Sequence, residues 1–378
     1  MIKIGIRNNL LYPSIFSVTV VSQRIIIILL RELFDDFEGA FIFVFMKFFF
    51  ESIIGGLFSI FFSNFPKSEQ IKQENRIILI QNKENIHRPD SEKKIFFLMT
   101  LAALIEFIGA NSRRYVIKPL DHEEAHLMDI RLRSFEIITS SLLSNYFLKT
   151  KIYKHQFVSL IIIGISLIFA LIIEFIYIDL KYAVIGLVVL LISTLANSTI
   201  DIIEKYLFDI NFVDIFKLTT FEAVINTLIC LPLFSIKTFR SDVYELFKYP
   251  FNEEFCIIIY LLIYAILCGF KSIYRRKTLI QYSPNSRALA ESISDPFFIV
   301  YSSFIKKPHQ LTHSIIIFIL SIIIDFCACV YNELLVIYCC GLEHEAYLEV
   351  NKRGIISNIN DIYRDSISID EEEEKENI

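Results

Sequence analysis

Long apolar runs recur along the whole chain, and they constrain its fold more than any other feature. A helix of about 18–25 apolar residues is long enough to cross roughly 30 Å of hydrocarbon. About ten such runs can be counted, and hydrophobic residues make up 54% of the chain, more than the apolar share of an ordinary soluble domain. The sequence therefore predicts an all-α membrane protein with about ten transmembrane helices.

The predicted spans are separated mostly by short connections. They cover residues 10–30, 40–63, 95–114, 125–147, 156–176, 182–203, 213–236, 255–273, 286–305 and 312–338. Two longer polar stretches, the loop 64–94 and the acidic tail 343–378, are expected to be solvated and partly disordered.

Lysine and arginine residues outside the spans predict the orientation of the chain. With a cytosolic N-terminus, the basic residues that collect on the cytosolic side are Lys3, Arg7, those of the 64–94 loop, Lys149, Lys151, Lys154, Lys271, Arg275, Arg276 and Lys277. An excess of this kind marks the cytoplasmic face of membrane proteins. We therefore expect both termini in the cytosol, as an even number of spans requires.

A weak internal repeat relates the two halves of the chain. Sliding the chain along itself superimposes the His-Gln pair 155–156, at the start of the fifth span, on the pair 309–310 at the start of the tenth. The same offset places Arg133 on Arg287, within the fourth and ninth spans. Because five helices make an odd number of crossings, the second copy enters the membrane from the opposite side. The chain is therefore expected to hold two inverted five-helix repeats, residues 1–176 and 177–342, an arrangement typical of secondary transporters.

Charged side chains share one face of the fourth and ninth spans. They are Asp129, Arg133 and Glu136 in the fourth span, and Arg287, Glu291 and Asp295 in the ninth. Charges inside a bilayer are costly, so they usually face a cavity or a partner. Arg133 and Arg287 occupy equivalent positions in the two repeats. The planar guanidinium groups of two such arginines can hydrogen-bond an anionic substrate near the middle of the membrane. The alternative is that these residues are internal ion pairs that only lower the cost of insertion.

Several other polar residues lie within the spans. Lys47 and Glu51 are four residues apart in the second span and are expected to pair along the helix, with a site role as the alternative. Weaker site candidates are Glu106, Asn111, Asn197, Asp201, Glu222 and Asn226, since an intramembrane Asn often bonds a neighbouring helix. The candidate substrate-binding residues are Arg133, Arg287, Glu136, Glu291, Asn197 and Glu222.

One short motif indicates a different chemistry. His122, Glu123 and His126 satisfy H-E-x-x-H, which on a helix presents two imidazoles to zinc with the Glu as general base. Catalytic zinc needs a third protein ligand, and no later His or Asp stands in a recognisable intramembrane-protease motif. An intramembrane zinc hydrolase is therefore only the third hypothesis, and we expect neither a bound metal, a cofactor nor an enzyme activity.

Short sequence motifs over roughly residues 40–345 resemble those of a known family. They are Leu132-Arg133-Ser134, Tyr146-Phe147-Leu148-Lys149, Tyr153-Lys154-His155-Gln156, Ile203-Glu204-Lys205-Tyr206, Phe221-Glu222, Ser286-Arg287, Asp295-Pro296-Phe297 and Tyr331-Asn332-Glu333. The chain is similar in these motifs to the nucleotide-sugar-transporter-like solute carriers of the drug/metabolite transporter superfamily. The last motif is similar to one that closes the tenth helix in a poorly characterised branch.

The resemblance implies ten helices, cytosolic termini, alternating access and residence in an endomembrane such as the Golgi, ER, vacuole or lysosome. The leading expectation is a secondary-active exchanger or symporter of a small polar, anionic or nucleotide-linked metabolite. The Phe-Tyr-Asn-Asn and Gly-Ala-Leu-Asn-Lys motifs of guanosine-sugar carriers are absent, so the alternative is a scaffold or adaptor that moves nothing. The expected partners are the lipid bilayer and a small-molecule substrate, with no nucleic acid, and a homodimer is left open.

Overall fold

A computed structural model describes most of the helical part of the chain. It describes residues 4–6, 11–33, 40–62, 90–117, 134–148, 150, 152–177, 180–236, 251–293, 295–296, 300 and 311–337. The elements within these ranges are β1 (Ile4–Ile6), α1 (Leu11–Leu33), α2 (Ala40–Phe62), α3 (Glu92–Ile117), α4 (Phe135–Phe147), α5 (Lys154–Tyr177), α6 (Leu180–Asp209), α7 (Ile215–Leu233), α8 (Phe251–Gln281), α9 (Pro284–Ser292), α10 (Leu311–Tyr331) and β2 (Leu335–Ile337).

Most of these helices have the length and composition of membrane spans. In the described part of the chain, six stretches are long and apolar enough to cross a bilayer: Phe41–Phe61, Glu92–Asn111, Lys154–Ile176, Val184–Asp209, Ile215–Leu233 and Phe255–Gln281. The shorter apolar stretches Leu11–Ile27 and Ile315–Tyr331 lie in α1 and α10. The predicted class, a helical multi-pass membrane protein, is therefore confirmed.

Two helices are shorter than their predicted spans. Only α4 represents the fourth span, because residues 125–133 lie outside the described ranges. The ninth span is represented by the nine-residue α9, and every residue of α9 is buried. A helix without an exposed face lies inside the bundle and does not meet lipid. The 64–94 loop lies largely, and the tail 343–378 entirely, outside the described residues. The division into repeats 1–176 and 177–342 stays a prediction.

Apolar side chains cover the outside of the bundle and polar side chains fill its inside, as expected for a protein in a lipid bilayer. Large apolar side chains on α5 and α10, among them Ile161, Ile168 and Ile319, face outward, while serine, threonine, glutamate and arginine side chains are buried. Lipid tails solvate the apolar exterior, and every polar group away from water must find a partner inside the protein. The polar interior of the bundle is therefore where a site is expected.

Helix α2 packs antiparallel to α7. The ring of Phe41 at the start of α2 lies 5.0 Å from that of Phe234, just after α7. At the other end the rings of Phe58 and Phe216 are 5.7 Å apart. Close approach depends on Gly55, where an added Cβ would lie 2.9 Å from Thr220 Oγ1. The two helices thus stay in contact along most of their lengths.

Among the described helices, only α3 and α8 pack closely on both helices of this pair, and the remaining helices join the bundle through other contacts. The main contacts are α2 with α8, α3 with α6 and with α7, α1 with α8 and with α9, α4 with α6 and with α9, and α5 with α10. Outside the helices, β1 pairs with β2 in an antiparallel ribbon in which Gly5 lies opposite Val336. The segment before α1 and the segment after α10 are therefore neighbours.

Candidate functional site

Arg287 occupies a fixed position near the start of α9. Ser283 caps this helix by accepting a hydrogen bond from the backbone N–H of Ser286 at 3.2 Å, and Pro284 stands in its first turn. Ser and Pro are both favoured at these positions because they suit a helix start. The guanidinium of Arg287 is 1% exposed, so its donors must be satisfied within the protein.

Three carboxylates surround that guanidinium. Arg287 Nε lies 2.6 Å from Asp201 Oδ2 on α6, and Nη1 lies 2.8 Å from Glu291 Oε2, one turn further along α9. Nη2 contacts Asp201 again and also Glu136 on α4. The structure therefore brings together three of the predicted site residues, Arg287, Glu136 and Glu291, and adds Asp201, a weaker candidate, as a third carboxylate on Arg287.

The cations of α8 extend this cluster. Lys271 Nζ lies 3.0 Å from Glu291 Oε1, and Arg275 Nη2 lies 2.7 Å from Asp201 Oδ1. Arg276 lies 2.9 Å from Glu204 Oε1 on α6 and contacts Glu222 on α7 as well. We call the set Glu136, Asp201, Glu204, Glu222, Lys271, Arg275, Arg276, Arg287 and Glu291 the charged network.

The network corrects the predicted end of the eighth span. Lys271 was counted with the cytosolic cations, and Arg275, Arg276 and Lys277 were assigned to a cytosolic loop after residue 273. Instead, α8 continues to Gln281, and Arg276 is 1% exposed. The helix continues because the two arginines meet carboxylates on α6 and α7. Lys277 packs its Nζ over the ring of Tyr12 at 5.3 Å. These cations therefore say little about which side of the membrane the loops face.

A second polar cluster joins α2, α3 and α7. Lys47 Nζ lies 2.7 Å from Glu106 Oε1, and Asn226 Nδ2 lies 3.4 Å from Glu106 Oε2. The expected pairing of Lys47 with Glu51 along α2 is therefore wrong, because Lys47 reaches across to α3. Glu51 is 3% exposed. Glu222 Oε1 and Asn226 Oδ1, both in fully buried residues of α7, have no hydrogen-bond partner among the described residues.

The remaining predicted site residues contribute less. Asn197 is half-buried on α6 and makes no hydrogen bond to a described residue, while the adjacent Ser198 Oγ lies 2.7 Å from Thr139 Oγ1. Asn111 donates to the carbonyl oxygen of Phe107 within its own helix. Arg133 lies outside the described residues, so the expected pair of facing arginines stays a prediction.

The motif Tyr331-Asn332-Glu333 connects the end of α10 with the starts of α9 and α5. Asn332 Oδ1 accepts a hydrogen bond from Ser286 Oγ at 2.8 Å, and the Tyr331 hydroxyl accepts one from Asn285 at 2.9 Å. Glu333 Oε1 lies 3.3 Å from Nε2 of the buried His155 at the start of α5. The end of α10 thereby holds the first turn of α9, the turn that carries Arg287.

A polar cluster closes one end of the α3–α6 pair. Asp90 accepts hydrogen bonds from Lys94 Nζ at 2.7 Å, the Tyr206 hydroxyl at 2.8 Å and Asn211 Nδ2 at 3.3 Å. The hydrogen bond from Lys94, supported by that from Tyr206, lowers the pKa of the Asp90 carboxyl below its ordinary value. These contacts stabilise the ionised carboxylate.

The zinc hypothesis gains no support from the described residues. His122, Glu123 and His126 lie outside them, and no group of three potential metal ligands occurs within the described ranges.

Comparison with known proteins identifies no family. No family model and no curated protein matches the chain. A solved structure described only as "Crystal structure of protein" resembles it with a TM-score of 0.48 and 11% sequence identity, over 85% of this chain and 97% of the other.

Proposed function

We propose that the protein is a secondary-active transporter that moves a small polar solute by alternating access between two inverted five-helix halves. The proposal follows most directly from the antiparallel packing of α2 on α7, the second helix of each half. An inverted repeat makes equivalent helices of the two halves run in opposite directions, as α2 and α7 do.

Other helix pairs support the same relationship. In an inverted repeat each helix of the first half is equivalent to the helix five places later, so α1 is equivalent to α6 and α3 to α8. The contact of α1 with α8 is then equivalent to that of α6 with α3, and both contacts occur. The same holds for α2–α8 with α7–α3, and for α4–α6 with α9–α1. The pairs α4–α9 and α5–α10 map onto themselves. An even number of crossings also fits the β1–β2 ribbon, which keeps both ends of the helical region on one side.

The position of the charged network supports a moving interface. Glu136 belongs to the first half and Arg287 to the second, and their ion pair is buried between them. Replacing buried ion pairs by apolar residues is often neutral or stabilising, so stability alone does not explain so many charges. Polar contacts that can exchange partners allow the halves to slide without stranding a charge.

The contacts of Arg287 bear on the kind of solute. Its donors already meet Asp201, Glu136 and Glu291, so an anion would have to displace a carboxylate. Two roles were considered for these charges, internal ion pairs and the binding of an anion. In this conformation the contacts of Arg287 fit internal ion pairs better. A neutral or cationic polar solute suits the site best, and an anionic or nucleotide-linked solute remains the competing substrate class.

Reconstitution tests the proposal. Proteoliposomes should take up at least one compound from a panel of amino acids, amines, sugars, organic anions, nucleotides and nucleotide sugars. Protein-free liposomes and proteoliposomes of an unrelated membrane protein are the controls. Uptake of no compound by folded protein would favour the scaffold or adaptor.

A further inference from the structure

We propose that Glu51, at the middle of α2, carries a proton and is the coupling site through which a proton gradient drives the transporter. The coupling rests on the transport function proposed above, whereas the protonation of Glu51 does not.

Glu51 is buried on α2, at the level of two α7 oxygen atoms that have no hydrogen-bond partner among the described residues. The contacts of Phe41 with Phe234 and of Phe58 with Phe216 fix the register of α2 against α7. That register places Glu51, one turn before Gly55, at the level between Glu222 and Asn226. Each of these α7 residues is fully buried and has one oxygen without a hydrogen-bond donor. The two oxygens therefore offer acceptors at the depth where Glu51 sits.

Among the described residues, each cation within electrostatic reach of Glu51 is already paired with another carboxylate. The charged groups within electrostatic reach of its carboxyl include Lys47, Glu106, Arg275 and Arg276. Lys47 is bound by Glu106 at 2.7 Å. The two arginines are bound by carboxylates of the charged network.

Titratable or charged residues face α2 from each helix packed on it. They are Glu106 on α3, Glu222 and Cys230 on α7, and Tyr264, Cys268, Lys271, Arg275 and Arg276 on α8, beside Lys47 on α2 itself. Glu51 makes neither a hydrogen bond nor an ion pair with a described residue. Because an uncompensated charge in a membrane interior is strongly disfavoured, Glu51 holds a proton in this conformation.

A proton fits this site better than a metal ion. No group of three His, Cys, Asp or Glu side chains within the described ranges is placed to hold a metal. A protonated carboxyl needs only one acceptor for its O–H, and α7 supplies two.

Lys47 provides the means of release. It stands one turn from Glu51 on α2, yet in this conformation it binds Glu106 on α3. When α2 moves relative to α3, Lys47 can turn to Glu51, which then releases its proton to water on the newly open side. Asn226 keeps its hydrogen bond to Glu106. One proton taken up at one face is thus delivered at the other in each cycle.

Infrared spectroscopy of the purified full-length protein in nanodiscs tests the protonation directly. At neutral pH the wild-type protein should show the carbonyl stretch of a protonated carboxyl that Glu51→Gln lacks. Glu92→Gln, which removes an exposed carboxylate, should leave that band intact. Glu51→Gln replaces a neutral group by a neutral one of the same shape, so its melting temperature should match that of the wild type.

A second variant gives an independent readout. Glu106→Gln frees Lys47 to pair with Glu51, so it should abolish the same band although Glu51 is present. If the band in Glu51→Gln has the same intensity as in the wild type, it belongs entirely to other carboxyls, Glu51 is ionised, and the proposal is overturned.

Transport separates the inference from the proposed function. If the band belongs to Glu51 and a compound accumulates in response to an imposed proton gradient, Glu51→Gln should exchange that compound across the membrane but no longer accumulate it. Accumulation that ignores the proton gradient refutes the coupling and leaves the transporter standing. A band at Glu51 without uptake of any compound refutes the transporter and leaves the proton site.

Discussion

Arg24 on α1 forms a buried ion pair with Asp295, which follows α9: Arg24 Nη1 lies 2.6 Å from Asp295 Oδ1, and the side chains are 8% and 2% exposed. Arg24 interrupts the first apolar run, and the pair explains how that run can still form a helix inside the bundle. The contact ties α1 to the segment that directly follows α9.

Breaking this pair should destabilise the protein more than removing it. Arg24→Met strands Asp295, and Asp295→Asn strands Arg24, each at a cost of about 3–5 kcal/mol. The double variant should recover much of that loss because no buried charge is left alone. Thermal unfolding of the four proteins in detergent measures the coupling energy. Additive losses in the double variant would mean that the ion pair does not form.

Arg276 and its neighbour Lys277 give a matched comparison. Arg276→Gln leaves Glu204 and Glu222 without their shared guanidinium and should cost about 3–5 kcal/mol of stability. Lys277→Gln loses a cation–π contact with Tyr12 and should cost only about 0.5–1 kcal/mol. Expression level and melting temperature of the two variants check the order. Equal effects would place Arg276 outside the core, contrary to the structure.

The close approach of α8 to α2 depends on Gly269. A Cβ at this position would lie 2.5 Å from Ile54 Cδ1 and 3.0 Å from Ile54 Cβ, so Gly269→Ala should be destabilising, by about 1–3 kcal/mol for an overpacked core. At Gly164 the nearest atom would be Ile138 Cδ1 at 3.9 Å. Gly164→Ala should therefore be tolerated and can gain helix propensity.

A second substitution makes the test specific. Combining Gly269→Ala with Ile54→Ala removes the clashing side chain and should restore part of the lost melting temperature. A loss that stays unchanged in the double variant would assign the effect to something other than the α2–α8 contact.

Asp90 predicts a pH dependence at the α3–α6 end. Because the pKa of Asp90 in the folded protein is lowered from its ordinary value of 3.8, the stabilisation is present above that value and is lost as the pH falls through the lowered pKa. Asp90→Asn should therefore melt earlier than the wild type at neutral pH, and the difference should shrink in acid. Tyr206→Phe should behave in the same direction with a smaller effect. A difference that is independent of pH would show that the carboxylate charge plays no part.

Hydrophobic pattern predicted the helices well, and charge predicted the site only in part. Each of the ten predicted spans overlaps one described helix, because apolar length is a local property. The sequence analysis selected Glu136, Arg287 and Glu291 because charges within a membrane are costly and usually face a cavity or a partner. The structure brings these three residues together. Asp201, which accepts hydrogen bonds from both Arg275 and Arg287, was only a weaker candidate, since these contacts join residues far apart in the chain.

The main errors have the same physical origin. The eighth span was ended at residue 273 because three cations follow within four residues, Arg275, Arg276 and Lys277. Charges end a span only if they lack partners, and the carboxylates of Asp201, Glu204 and Glu222 lie on other helices. The clue in the sequence was the intramembrane carboxylates Asp201 and Glu222 of the sixth and seventh spans, which had no predicted partner.

Trans-stimulation measures alternating access most directly. A carrier whose two halves expose the site to one side at a time returns to the starting side faster when it returns loaded. Proteoliposomes preloaded with the transported compound should therefore take up its radiolabelled form faster than empty ones and transiently above the equilibrium level. Uptake that merely equilibrates at a rate independent of the internal compound would contradict the inverted-repeat carrier.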